Sequence, residues 1–237
     1  MALGQETDER SRGPVAIVTG ASRGLGLALT HALVEHGYTV VVDARGAGAL
    51  ERAVAGLGGV VAIPGDVADA EHRRALVEAA GGRIDVLVNN AGILGPSPQP
   101  SLAAYPLATL ARVYEVNALA PLALFQEALP HFASGARVLN VTSDAAVEPY
   151  EGWGGYGSAK AALEQLTAIL AAEQSDLRVY AVDPGDMRTQ TYQDAFPGED
   201  ISHLPLPEAS VPGLLELVEG ALPSGRYRAR DLVPVQS

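Results

Sequence analysis

The chain contains no cysteine. Disulfides, thiolate zinc sites and cysteine nucleophiles are therefore excluded. Its five histidines (His31, His36, His72, His131 and His203) include no His-x₃-His pair, so no metal site is expected. Basic residues are scarce: 16 Lys and Arg stand against 28 Asp and Glu, for a net charge of −12. That leaves no basic footprint for a nucleic acid, and none is expected as a partner. A nucleotide phosphate would need local donors to bind against this acidic field. No apolar run reaches membrane-spanning length, because Gly, Pro or charged residues interrupt each candidate, so no membrane partner is expected. The first dozen residues, MALGQETDERSR, are polar and lack an apolar signal core. They read as a loose tail over 1–12 of a cytoplasmic protein.

What remains is a globular composition, 48% hydrophobic and 19% charged over 237 residues. That length suits a single α/β domain over 13–237, whose substrate and C-terminal region begins near residue 184. Continuous apolar β-branched runs at Pro14–Thr19, Tyr38–Val42, Val60–Ile63, Ile84–Val88, Arg137–Val141 and Leu177–Val182 read as parallel strands covered on both faces. Helical patterns at Gly24–Glu35, Gly46–Ala55, Asp69–Ala80, Leu107–Phe132 and Tyr156–Glu173 alternate with them, and Pro121 is expected to kink the fourth. After Val182 the pattern weakens through Asp183–Pro207, followed by a short helix near Val211–Leu222 and a last strand near Leu232–Val235. The alternation predicts a doubly wound, Rossmann-like parallel sheet with ligands beyond the C-terminal strand ends.

Two local features carry chemistry. The first is Thr19-Gly20-Ala21-Ser22-Arg23-Gly24-Leu25-Gly26, a strand-to-helix turn. Gly20 permits a tight turn, Gly24 and Gly26 allow close backbone approach, and the helix N-terminus offers amides to a pyrophosphate. The second is Tyr156 followed by Lys160, with Ser143 thirteen positions upstream. At i, i+4 spacing the ammonium and the phenol share one helix face. An ammonium and a helix N-terminus both favour the phenolate, which makes the phenol's proton transferable. Carbonyl/alcohol redox chemistry needs such a group.

Together with Asn89-Asn90-Ala91-Gly92, Asn117 and Pro184-Gly185, these segments closely resemble the short-chain dehydrogenase/reductase family, in its compact single-domain branch. Ser224-Gly225-Arg226-Tyr227 also resembles actinobacterial members of unassigned substrate. The resemblance implies an oxidoreductase that uses a nicotinamide dinucleotide to interconvert a carbonyl and an alcohol. It assigns catalysis to Asn117, Ser143, Tyr156 and Lys160: Tyr156 as acid/base, Ser143 orienting the carbonyl, Lys160 reaching the nicotinamide ribose, and Asn117 holding a water that replenishes the proton. Cofactor contacts are implied at Gly20, Ser22, Arg23, Gly24, Leu25, Gly26, Ala44, Arg45, Asp66, Val67, Asn90, Ala91, Gly92, Pro184, Gly185, Met187 and Thr189, besides Tyr156 and Lys160.

Counting without gaps from Gly26, the family's discriminating acidic position falls on Ala44, with Arg45 next. Arg23 stands where members that use NADPH often carry a second basic residue. Two guanidiniums beside a 2′-phosphate favour NADP(H). Asp43 is the counter-indication: with the strand end shifted by one residue, its carboxylate would bind the ribose and favour NAD(H). Substrate contacts are expected at Ile93, Leu94, Asp144, Ala145, Tyr150, Trp153 and Tyr192, in loops flanking the catalytic positions. The small apolar helix faces with Ala118, Leu119, Ala161, Ala162, Leu166 and Ile169 imply a homodimer or homotetramer through helices at about 107–132 and 156–173. Two rival readings share the scaffold: an NAD-dependent alcohol dehydrogenase, and a catalytically silent NADP(H) sensor, which would need the glycine turn but not Ser143, Tyr156 and Lys160.

Overall fold

A computed structural model describes residues 13–232. The expected tail at 1–12 lies outside the described residues, as does most of the expected last strand near Leu232–Val235. Seven strands form one parallel sheet: β1 (Val15–Val18), β2 (Thr39–Ala44), β3 (Val60–Pro64), β4 (Ile84–Asn89), β5 (Phe132–Val141), β6 (Arg178–Asp183) and β7 (Gly225–Arg228). Their order is β3-β2-β1-β4-β5-β6-β7. The chain therefore reverses direction across the sheet between β1 and β4, and this switch opens a crevice beyond the strand ends.

Alternate side chains on each strand feed two separate cores, as the unbroken apolar runs require. Val40 and Val42 of β2 join Leu25, Leu29 and Leu33 of α1 (Gly24–Glu35) and Leu214 and Leu217 of α8 (Val211–Glu219) on one face. Val41 joins Leu76 of α3 (Ala70–Ala79), Leu124 of α5 (Ala120–Ala128) and Leu170 of α6 (Gly154–Glu173) on the other. The remaining helices are α2 (Ala47–Ala53), α4 (Leu107–Tyr114) and α7 (Gln190–Ala195). Among the described residues no helix is long and apolar enough to cross a membrane.

Three features correct or add to the expectations. The single helix expected over Leu107–Phe132 is α4, a π-turn at Glu115–Leu119, α5 and a 3₁₀ turn at Leu129–His131, after which Phe132 already begins β5. Pro121 has no N–H to offer the Asn117 carbonyl four residues back, and the helix absorbs that mismatch as a π-turn just upstream. Gly225–Arg228 forms a strand that was not expected; it pairs with β6 through Tyr180 and Gly225, and Leu232 closes a 3₁₀ turn. The stretch expected to be irregular after Val182 contains α7, capped by the Thr189 hydroxyl, which accepts from the Tyr192 N–H.

One polar chain crosses the second core. Asn89 donates to Asn140 Oδ1 at 2.8 Å, Asn140 donates to Thr167 Oγ1 at 2.8 Å, and the Thr167 hydroxyl donates to the Leu163 carbonyl at 2.7 Å. All three side chains are buried, so each bond replaces water that cannot enter. The chain ties β4 and β5 to the middle of α6 and sets that helix over the strand ends. Asn140→Ala strands both the Asn89 and Thr167 partners. It should cost roughly 2–3 kcal/mol in urea denaturation; a loss below about 0.5 kcal/mol would mean that the chain does not hold α6.

Candidate active site

The crevice encloses about 1160 Å³ along the C-terminal strand ends. Its floor is a hydrogen-bonded joint between β1 and β4. The Thr19 hydroxyl accepts from the N–H groups of Asn90 and Ala91 at 3.0 Å each, and Asn90 Nδ2 donates to the Thr19 carbonyl at 2.8 Å. Gly20, at φ +72°, turns the chain in the left-handed region. A Cβ on Gly26 would lie 2.5 Å from Asn90 Nδ2 and 2.6 Å from the Gly20 carbonyl oxygen, so only glycine lets α1 close on this joint. Gly26 thus packs behind the wall instead of lining it, a refinement of its expected role. Arg23, at the N-cap of α1, gives no side-chain cap, and the first turn holds no acidic residue. The positive end of α1 is left open for an anion.

At the end of the crevice beside β2, Asp43 does not do what the counter-indication required. Its carboxylate is buried: Oδ1 accepts from the Gly20 N–H at 2.7 Å and Oδ2 contacts His72 Nε2 at 2.9 Å. Strand alternation turns it toward α3, whereas Ala44 packs on the α1 side. Arg23 and Arg45 line the crevice, exposed, and neither bonds to any described side chain. Asp66 receives the Ala68 N–H and pairs with Arg112, a crevice residue that sequence reasoning missed. Val67 is buried against Val116 and Ala120, with Ala91 and Ile93 packed on them.

The catalytic candidates converge on the middle of the crevice. Tyr156 and Lys160 lie in the first turns of α6, which starts at Gly154, two residues before the expected start. The Lys160 ammonium donates to the Val141 carbonyl at 2.7 Å and sits 5.6 Å from the Tyr156 ring centroid. The Tyr156 hydroxyl makes no hydrogen bond with a described residue. Ser143 follows β5; its hydroxyl donates to Asp144 Oδ1 at 2.9 Å and accepts from the Ala145 N–H at 3.2 Å. Asn117 is buried behind the wall. It donates to the Ile93 carbonyl and accepts from the Ile93 N–H, both at 2.8 Å, which fastens the loop after β4. A Cβ on Gly92 would come within 3.2 Å of Asn117 Oδ1 and 3.7 Å of Lys160 Nζ, so the bare glycine leaves space over both groups.

The electrostatics depart from the expectation that Lys160 and the helix end would favour a phenolate. Burial, followed by the Asp144 and Asp183 carboxylates, raises the Tyr156 pKa well above the usual phenol value. Burial lowers Lys160 from 10.5 to about 8. Desolvation penalises either charged form and here outweighs the pair's mutual attraction. The phenol is therefore held protonated.

The substrate end is walled by aromatic rings. Trp153 meets Tyr156 edge-on at 5.8 Å between centroids and Phe196 at 5.8 Å, and Tyr192 lies 4.8 Å from Phe196. Phe196 was missed in the sequence, although its i+4 spacing from Tyr192 was a readable signal. Asp144 and Tyr150 pair with each other, the Tyr150 hydroxyl donating to Asp144 Oδ2 at 3.0 Å. Ser22, Gly24, Leu25, Ile93, Leu94, Ala145, Pro184, Gly185, Met187 and Thr189 all line the crevice. The open helix end, the unpaired guanidiniums and the uncrowded Lys160 fit a nicotinamide dinucleotide phosphate.

Comparison with known proteins agrees with this geometry. The family model for short chain dehydrogenase matches residues 14–200. Short-chain dehydrogenase/reductase SDRA of Arabidopsis thaliana is 39% identical over 188 residues, covering 76% of this chain and 73% of that protein. The rhamnolipids biosynthesis 3-oxoacyl-[acyl-carrier-protein] reductase of Pseudomonas aeruginosa is 33% identical over 230 residues, covering 91% and 84%. Among solved structures, a short chain dehydrogenase from Escherichia coli CFT073 complexed with NADPH superposes with a TM-score of 0.85 at 25% identity, covering 92% of this chain and 96% of that one.

The shifted pair leaves a signature in the pH dependence of folding. Between about pH 8 and 10.5 the unfolded chain keeps a proton on Lys160 that the folded chain has released, so stability rises with pH across that window. Tyr156 acts oppositely above about pH 10, where the unfolded phenol ionises first. The unfolding free energy of the wild type minus that of Lys160→Met should therefore grow by about 2 kcal/mol from pH 7.5 to pH 10. Urea denaturation at several pH values checks this; a flat difference would show that Lys160 titrates as an ordinary lysine.

Proposed function

Because the chain belongs to the short chain dehydrogenase family, we propose that it works as an NADPH-dependent reductase of a ketone or aldehyde, with Tyr156 as the general acid. The coarser activity, an NAD(P)-dependent oxidoreductase interconverting carbonyl and alcohol, comes with membership of the family. The observation that carries the finer reading is the unbonded Tyr156 hydroxyl, with Lys160 5.6 Å from its ring, in a crevice also lined by Ser143 and by two unpaired guanidiniums. When bound, the reduced nicotinamide supplies the hydride. The Ser143 hydroxyl turns from Asp144 to the substrate oxygen and orients it. Tyr156 gives its proton to that oxygen as the carbonyl π electrons move onto it. Lys160, with its pKa near 8, is placed to return a proton to Tyr156 at neutral pH.

NADPH is the favoured cofactor on three grounds. Asp43 is turned inward, Arg23 and Arg45 stand unpaired where a 2′-phosphate would gain from them, and a related structure is a complex with NADPH. We also propose a homodimer or homotetramer through the helices at about 107–132 and 156–173. Leu107, Leu119 and Ile169 on those helices are exposed, which supports that assembly; Ala118, expected on the same face, is buried inside its own subunit.

Tyr156→Phe should lower kcat by about 10²–10⁴-fold while NADPH binding, followed by fluorescence titration, stays within about twofold; retained turnover would refute the acid assignment. Arg23→Ala combined with Arg45→Ala should reduce the preference for NADPH over NADH in kcat/KM by about 10–100-fold. A wild type that prefers NADH would overturn the cofactor assignment.

A further inference from the structure

The crevice is electrically divided along its length. The end beside β2 presents Arg23 and Arg45 unpaired, while its carboxylates are committed, Asp66 to Arg112 and Asp43 to the Gly20 N–H and His72. Around Tyr156 the crevice is lined by the carboxylates Asp144 and Asp186, besides Asp183. Asp183 is compensated by Arg226 and Arg228, each 3.6 Å away. Asp144 has its oxygens filled by neutral donors, namely Ser143, the Ala145 N–H and Tyr150, so its charge stands uncompensated. The Asp186 side chain makes no hydrogen bond; burial and the facing Asp144 both push its carboxyl upward, and only the nearby Arg230 opposes them. Arg230 donates to the Asp186 main-chain carbonyl and does not line the crevice. The cations here are Lys160, whose ammonium is committed to the Val141 carbonyl, and Arg188, whose neighbour Thr189 would lie 3.6 Å from a Cβ on Gly24 of the glycine turn.

The same stretch of the crevice is lined by Trp153, Tyr192 and Phe196, whose rings pack on one another and, through Trp153, on Tyr156. Rings attract a cation through their negative faces, and carboxylates attract it through charge. A neutral ring gains from the wall alone. A carboxylate or phosphate meets like charge.

Resting on the reductase reading above, we propose that the substrate is a ring-bearing ketone or aldehyde that also carries a protonated amine. The ring lies on Trp153 and Phe196, the ammonium is directed to Asp186 and Asp144, and the carbonyl faces Tyr156. Anionic carbonyl compounds are disfavoured by the same arrangement.

The chain has one tryptophan, Trp153, so its emission reports on this pocket. With the protein saturated in NADP⁺, titration with benzyltrimethylammonium, benzyl alcohol and benzoate compares charge at nearly constant shape. The ammonium should quench at a concentration about tenfold below that of benzoate, and Asp186→Asn should narrow this to about threefold or less without moving benzyl alcohol. Equal or tighter binding of benzoate, no quenching by any probe, or an unchanged ratio in the variant overturns the inference. In turnover, para-(aminomethyl)acetophenone should exceed para-(hydroxymethyl)acetophenone, which should exceed para-acetylbenzoate, chiefly through KM. If the ammonium probe binds selectively while none of the three ketones is reduced, it is the reductase reading that fails and the charge selectivity stands.

Discussion

The site depends on the joint where β1 meets β4. Three hydrogen bonds from Asn90 and Ala91 to Thr19 close the end of two parallel strands whose continuing chains must diverge. Because the sheet order reverses here, no helix covers the gap. The polar groups freed at two strand ends would otherwise be left half-buried without partners, which a fold tolerates poorly. Satisfying them internally makes the floor rigid. Gly26 then lets α1 stand against that floor with its amide end open. The anion-binding end of the crevice is thus a by-product of how the switch point is sealed.

The reacting end is built by a different means. The Asn89–Asn140–Thr167 chain fastens α6 across two strands, and the first turns of that helix carry both Tyr156 and Lys160. Their burial shifts the two groups in opposite directions and for the same reason, since each is driven toward its neutral form. A neutral donor next to a poorly held proton is suited to giving protons away in sequence. The Asp144–Tyr150 contact and the aromatic wall add a polarity to the pocket that has nothing to do with the proton-transfer step.

Most of this was legible before the coordinates. Unbroken Val and Ile runs marked buried parallel strands, and the glycine turn, Ser143, Tyr156 and Lys160 all line one crevice. What escaped was mainly what sequence order cannot express. The inward turn of Asp43 depends on His72, twenty-nine residues away, and on strand alternation that a one-residue uncertainty reverses. The neutral state of Tyr156 follows from burial, which spacing does not encode. The π-turn arises from a missing N–H at Pro121, a cue correctly noticed as a kink but not as a change of helical pitch. Phe196 and α7 were hidden in a stretch whose Pro and Gly content suggested loop. The strand at Gly225–Arg228 escaped because it is short and half charged, as an edge strand can be.

The inward carboxylate of Asp43 also bears on how such a chain could change its cofactor over evolutionary time. An acid is present within one position of where a ribose reader would stand, yet it is committed to holding the Gly20 amide and His72. Sliding it across by a one-residue insertion or deletion would dismantle the turn it supports. The accessible route is a substitution at Ala44 that leaves Asp43 in place, so two adjacent acidic residues would mark a lineage that had crossed over, and the older of the two would be the one facing inward.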